Sequence, residues 1–494
     1  MKKYKIIIII FLMLGCAACD LMETNYSNLT ADAFFNKEKN AEMGVIAIYQ
    51  NLNRIYRIFD FGMPRLAFLP SPYATTRNTG FLNYSQFTVN SGDAQLRNLW
   101  QDFYQSINRA NQVIEIIPGI EMPEDKKASL LAEAKFLRAL DYFYLVRFFG
   151  AIPFSTEPTT SDKNAFKEFA TIEQVYAGIM DDLKPAVIDA LPKVREGNEK
   201  GRVSQAAAKM LAAKVYLTMA GNPLKDASHL QEARDLLKDL LENRVDYNTG
   251  LLPKYKDVFD ANNELNEEII FAIQCDAKVE GNATSLCFTN APLQGMSSGN
   301  GQAMWVVTEK WYNQFEPQDK RRDIIVNSYH NGKTGAIINW GSPVYNKNNV
   351  KGLVPWKYHD PAATISNDGS SDYIILRFGD AILMLGEVEN ELNGPTAQAI
   401  ELINEVLERA NTTLLNNNSD PDGNAWTKES LREFIFQERF RELCFEFQEI
   451  FDIRRFGKTQ WAVENSPDCQ AKGITYDPSM ELYPIPITEM NARD

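Results

Sequence analysis

Histidine is almost missing from this chain of 494 residues: His229, His330 and His359 are the whole supply. None stands at a spacing such as H-x-x-x-H, which speaks against a histidine-based metal centre or catalytic triad. An excess of positive charge is missing too. With 51 Lys and Arg against 65 Asp and Glu, the formal net charge is −14. Nucleic acid and anionic membrane surfaces are therefore poor principal partners. No G-x-S-x-G, Walker or Rossmann glycine pattern falls in a strand-turn-helix context, so the common hydrolase, NTPase and dinucleotide sites have no footing. Long apolar runs are scarce. The one at the N-terminus, Ile6 to Gly15, falls well short of the ~20 residues a membrane-spanning helix needs.

That run follows Lys2, Lys3 and Lys5 and precedes small residues, the pattern of a signal peptide over residues 1–18. Leu14-Gly15-Cys16 and Ala17-Ala18-Cys19 both resemble a bacterial lipobox. A cysteine beside the cleavage site reads as an acylated anchor, and several acyl chains would hold the protein stably on a membrane. Four further cysteines, Cys275, Cys287, Cys444 and Cys469, belong to the exported part, where disulfides are permitted. Cys275 and Cys287 are close enough in sequence to close a loop, but spacing does not fix a pairing. Cys444 lies in an apolar helical stretch and reads as a buried free thiol.

The bulk composition, 45% hydrophobic and 23% charged, is that of a folded soluble chain. Its centre of gravity is Leu131 to Phe154, LAEAKFLRALDYFYLVRFFGAIPF. The first part reads as a helix apolar nearly all round, so it belongs inside an all-helical core. Arg138 and Asp141, three positions apart, are expected to pair. Gly150 suits the C-cap, and Pro153 prevents continuation. Ala94 to Ile117 carries an apolar stripe at helical spacing. Thr171 and Gln174 form a capping box for a helix running to about Ala190.

Two helix pairs, Ser204–Ala220 with Ala227–Glu242 and Tyr373–Leu392 with Thr396–Asn411, resemble degenerate tetratricopeptide hairpins. The Leu131 helix and residues 172–190 make a third. Between the Ser204–Glu242 and Tyr373–Asn411 pairs, residues 246–370 are rich in glycine, asparagine and turns, and hold Trp305, Trp311, Trp340 and Trp356, four of the seven tryptophans. The expected fold class is mainly α: a tetratricopeptide-like helical-repeat scaffold with a loop-rich, partly β insertion. The chain divides into an N-terminal helical part (19–245), the insertion (246–370) and a C-terminal helical part (371–494), with 19–494 forming one compact unit. A single long helix is expected from Glu429 to Phe451, and an irregular loop over 65–93.

These stretches carry a family likeness. A-E-A-x-x-x-R-A-x-x-Y-x-x-L-V-R-x-x-G-x-I-P over the Leu131 helix resembles the signature of the SusD/RagB family of outer-membrane nutrient-binding lipoproteins. Trp100, Tyr104, Asn108 and Asn111 resemble its W-x-x-x-Y-x-x-I-x-x-A-N pattern. Glu438, Arg439, Glu442, Glu446 and Arg454 resemble its E-R-x-x-E-L-x-F-E…D-I-R-R-F-G run, and Tyr483-Pro484-Ile485-Pro486 its terminal Y-P-I-P. Cys19-Asp20-Leu21 resembles the start of mature members, which favours Cys19 as the lipid anchor with Cys16 as the alternative.

The resemblance implies a surface lipoprotein that is not an enzyme, uses no cofactor, binds an oligosaccharide, and delivers it to a SusC-like TonB-dependent transporter in the outer membrane. It also implies a glycan site between an early loop and an aromatic of the middle insertion. The residues themselves offer aromatic faces and hydrogen-bonding groups in two such places. One holds Tyr73, Arg77, Asn78, Phe81 and Tyr84; the other holds Trp305 and Trp340. Glu438 with Glu442, or Glu387 with Glu391, would be the carboxylate pairs of a glycosidase, but their arginine neighbours read as ion-pair partners. A periplasm-facing adaptor built on the helical pairs, binding protein and no glycan, is the competing reading.

Overall fold

The computed structural model describes residues 37–56, 62–76, 78–161, 166–279, 305–326, 328–330, 337–339, 353–355, 357–358, 360 and 369–493. The cysteines expected to carry lipid, and any Cys275–Cys287 loop, lie outside or partly outside these residues.

Ten helices carry the scaffold: α1 Glu38–Tyr56, α2 Ala94–Ile116, α3 Glu124–Phe149, α4 Ile172–Asp182, α5 Gln205–Ala220, α6 Leu230–Glu242, α7 Phe378–Asn393, α8 Ala397–Arg409, α9 Lys428–Glu442 and α10 Glu449–Arg455. Their starts are written in the sequence. Asp93, Thr171, Ser204, Thr396 and Thr427 each accept hydrogen bonds from first-turn amides, with reciprocal capping boxes at Thr171/Gln174 and Thr427/Ser430. The pairs α3–α4, α5–α6 and α7–α8 all pack as expected, and α6 also packs on α7. The scaffold is thus continuous across residues 243–372, which leave it and return. Among the described residues, no helix is long and apolar enough to cross a membrane.

α3 is the middle of this stack. It packs on α1, α2 and α4, and from Phe136 to Phe149 every residue is buried. Its charges are solved differently from the expected Arg138–Asp141 pair. Arg138 reaches across to α4 and donates through Nε and Nη2 to Asp182 at 2.8 and 2.7 Å, and through Nη1 to Asn111 at 2.7 Å. A bidentate partner on the neighbouring helix outcompetes a monodentate one on the same helix. Asp141 is left fully buried without a hydrogen-bond partner for its carboxylate among the described residues, and burial holds its carboxyl well above the usual range. Glu133, also fully buried, accepts from Tyr49, Arg195 and Arg202.

The strands are short. β1 Ala74–Thr76 pairs antiparallel with β3 Trp305–Val307, and β2 Ile269–Ile273 pairs antiparallel with β4 Tyr373–Arg377. β4 corrects one expectation: the helix read from Tyr373 begins only at Phe378, because YIILR, with an aromatic and two β-branched isoleucines, is buried throughout, which suits a strand. Two more boundaries move. α4 stops at Asp182, ahead of a separate turn at Pro185–Ile188. The long C-terminal helix is broken between α9 and α10, where Phe445 and Phe447 take φ of 64° and 58°. The stretch 65–93 is also more regular than a loop, holding β1 and a short helix at Leu82–Ser85.

That break turns charged side chains inward. Glu442 and Glu446 meet Arg377 at the end of β4, with Arg377 to Glu442 and to Glu446 both at 2.7 Å. Glu442 also accepts from Arg409 and Arg321, and these three cations hold its carboxyl far below the usual range. Arg321 and Lys357 come from the insertion; Lys357 donates to Glu446 at 2.6 Å. The ionic layer therefore fastens the insertion to the C-terminal helices. Gly379 admits it: a side chain there would run into the Arg377 guanidinium.

Candidate functional site

The early segment and the insertion are one structure. Their ladder runs Ala74↔Val307, Thr75↔Val306, Thr76↔Trp305, and Val307 bridges on to Leu353. Beyond the ladder the chain turns outward. Asn78 accepts from the Gly80 amide at 2.9 Å, shaping the turn that presents Phe81. The Phe81 ring packs on Trp305 with centroids 5.5 Å apart, and the Arg65 guanidinium lies over the Phe81 ring at 3.8 Å.

The inner side of this segment is bolted down. Thr75 and Ser85 both donate to Asp468, at 2.8 and 2.7 Å. Tyr73 donates to Gln437 at 3.0 Å and accepts from Gln314 at 2.8 Å. Tyr84 donates to Asp93, the cap of α2, and burial together with that carboxylate raises its phenol above the usual range.

The residues expected at the ligand therefore divide. Tyr73, Tyr84 and Trp305 are buried, Trp305 at 0% exposure, and serve as the floor. As placed, they present no open stacking face, because the ladder and the Asp468 anchor draw them inward. Asn78 and Phe81 are part-exposed at the rim. Arg77 and Trp340 lie outside the described residues. Sequence reasoning missed Arg65, Asp468, Gln314 and Gln437, which carry no motif and act only through contacts distant in sequence.

The carboxylates once eligible for catalysis are all engaged. Glu438 and Glu442 are fully buried and bound to Arg321 and, for Glu438, Arg441. Glu387 pairs with Arg455, and Glu391 with Arg432 at 2.5 Å. Among the described residues, no group of three or more His, Cys, Asp or Glu is placed to hold a metal ion.

Comparison with known proteins fits this architecture. A family profile described as SusD family matches residues 304–494, and a second, described as starch-binding associating with outer membrane, matches residues 70–217. SusD-like protein P2 of Formosa agariphila is 25% identical over 472 residues, covering 92% of this chain and 91% of that protein. The crystal structure of a SusD homolog from Bacteroides thetaiotaomicron superposes with a TM-score of 0.79 at 25% identity, covering 93% of this chain and 96% of that one. A laminarin binding SusD-like protein shares the fold, with a TM-score of 0.76 at 24% identity over 92% of this chain and 98% of that one. The chain belongs to the SusD family.

Proposed function

We propose that this protein is a lipid-anchored, surface-facing glycan-binding protein, without catalytic activity, that passes an oligosaccharide to a SusC-like TonB-dependent outer-membrane transporter. The observation that carries the reading is the β1–β3 ladder, which joins the early segment to the aromatic-rich insertion in a chain of this family. The profile over residues 70–217, described as starch-binding in association with the outer membrane, and the laminarin binding relative support a glycan as ligand. The ligand edge is assigned to Asn78 and Phe81 at the rim, with Arg77 and Trp340 assigned to the ligand from the sequence; Trp305, Tyr73 and Tyr84 hold that edge in place. Two aromatic contacts and a few hydroxyl partners give a net gain of a few kcal/mol, roughly micromolar to millimolar affinity.

Calorimetry or affinity electrophoresis against a panel including starch and laminarin tests this. The double variant Phe81→Ala, Trp340→Ala should lose binding while its melting temperature stays near that of the parent. Full binding by that variant would remove the edge as the site. Protease shaving of intact cells should remove the protein; survival would favour the periplasm-facing adaptor.

A further inference from the structure

Away from the edge, the C-terminal end of α3, the turn after α5 and α10 enclose a cavity of about 450 Å³. Its charged lining is mostly cationic: Arg147, Lys225, Arg454 and Arg455 against Glu481. Arg455 is engaged by Glu387 and Asp452, and Glu481 accepts from Thr459 and Tyr476 at 2.6 and 2.8 Å. Arg147 lies between the rings of Phe143 and Phe451, 3.7 and 3.8 Å from their centroids.

Arg454 is the anomaly. It is 8% exposed, and no carboxylate among the described residues reaches it as an ion-pair partner. Its Nη1 donates to the carbonyl of Arg147 at 2.9 Å, and its Nε is buried with no acceptor. The guanidinium lies 4.9 Å from the Tyr483 ring centroid. Beyond that one bond to a helix-end carbonyl, aided by the negative end of the α3 dipole, the charge is offset among the described residues only by the longer-range pull of Glu481 in the same lining, and Nε keeps no acceptor. A buried cation in that state is costly. Burial pulls its pKa down to about 10, so it is still charged at neutral pH.

We propose that this cavity is an anion site, in which Arg454, with Arg147 and Lys225 around it, takes an oxyanion group (a carboxylate, sulfate or phosphate). The planar fork of Arg454 suits two-oxygen recognition of such a group. The volume is within the range of small-molecule sites and admits a sugar-sized body behind the anion. The site stands independently of the ligand edge at Phe81.

Calorimetry on the full chain, with sodium sulfate, sodium phosphate, glucuronate and neutral glucose at ionic strength held constant with chloride, tests the assignment. Sulfate or glucuronate should bind with a one-site isotherm, and glucose should not. Glucuronate binding more tightly than sulfate identifies an acid carried on a sugar; sulfate or phosphate binding with no response to glucuronate identifies a free inorganic ion. Arg454→Gln should weaken oxyanion binding at least about tenfold. Lys225→Asn guards against a folding failure in that variant. Lys225 is exposed with φ of 55°, a conformation asparagine accepts. That change should weaken sulfate roughly threefold without moving the melting temperature in its absence. No oxyanion binding by the parent chain, or unchanged affinity in either folded variant, overturns the proposal.

Discussion

The ionic layer at the end of α9 and two charged residues of α10, Glu449 and Arg454, lie only a few positions apart in the chain, yet they are built in opposite ways. Around Glu442, every cation named (Arg321, Arg377, Arg409 and Lys357) has a carboxylate partner, and the layer ties β4, α8, α9 and the insertion together. In α10, Glu449 and Arg454 are also buried, but among the described residues neither is in direct ion-pair contact with an opposite charge. Burial raises the Glu449 carboxyl to about 8, and one of its oxygens has no partner. The paired region behaves as a clasp. The unpaired one stores free energy that a proton, in the case of Glu449, or a bound anion, in the case of Arg454, can release.

Glu442→Ala should break the clasp most severely. It removes the one carboxylate that Arg321, Arg377 and Arg409 share, leaving Glu438, Glu446 and Glu268 to hold them, and should cost about 5 kcal/mol, the upper end for breaking a buried pair, measured by urea denaturation. A loss under 1 kcal/mol would show that the layer is not a clasp. Arg138→Ala should cost about 3–4 kcal/mol, because Asp182 rather than Asp141 loses its partner. Asp182→Asn should then weaken the loss caused by Arg138→Ala in a double-mutant cycle, and Asp141→Asn should not.

Glu449→Gln should act in the other direction and with a pH signature. Because the folded-state carboxyl titrates near 8, above its unfolded value, its stabilising protonated form is present at low pH and is lost as pH rises towards and through 8. The variant should therefore gain on the parent by about 1–3 kcal/mol between pH 5 and pH 8. A stability difference independent of pH would show that Glu449 is ionised throughout. Phe81→Ala should have the smallest effect on stability, under about 1 kcal/mol, because its ring is part-exposed at the rim; a larger loss would make it part of the floor.

The helices were legible because their signals are local: caps at Asp93, Thr171, Ser204 and Thr396, and apolar stripes at helical period. The errors fall where a contact distant in sequence decides. YIILR could continue α7 by composition, but pairing with β2 makes it a strand. The break after Glu442 coincides with carboxylates meeting Arg377 and Arg321, which no short window contains. Arg138 chose Asp182 over Asp141 for the same reason. At the candidate edge, the sequence pointed to two segments that the ladder joins, because glycine, asparagine and aromatics cluster there. It offered no means of telling floor from rim, since the burial of Tyr73, Tyr84 and Trp305 depends on Asp468, Gln437 and the ladder.

That ladder has a consequence in time as well as in space. Its three residue pairs join segments separated by most of the N-terminal helical part and half of the insertion. Contacts between such distant positions form slowly, because the entropy of closing the intervening chain must be offset by structure already in place. The helical pairs, whose contacts are local, should assemble first and bring Ala74–Thr76 within reach of Trp305–Val307. The rim proposed to meet the ligand would then be the last part of the molecule to mature. In pulsed hydrogen exchange during refolding, the amides of Thr75 and Val306 should gain protection after those of α5 and α6.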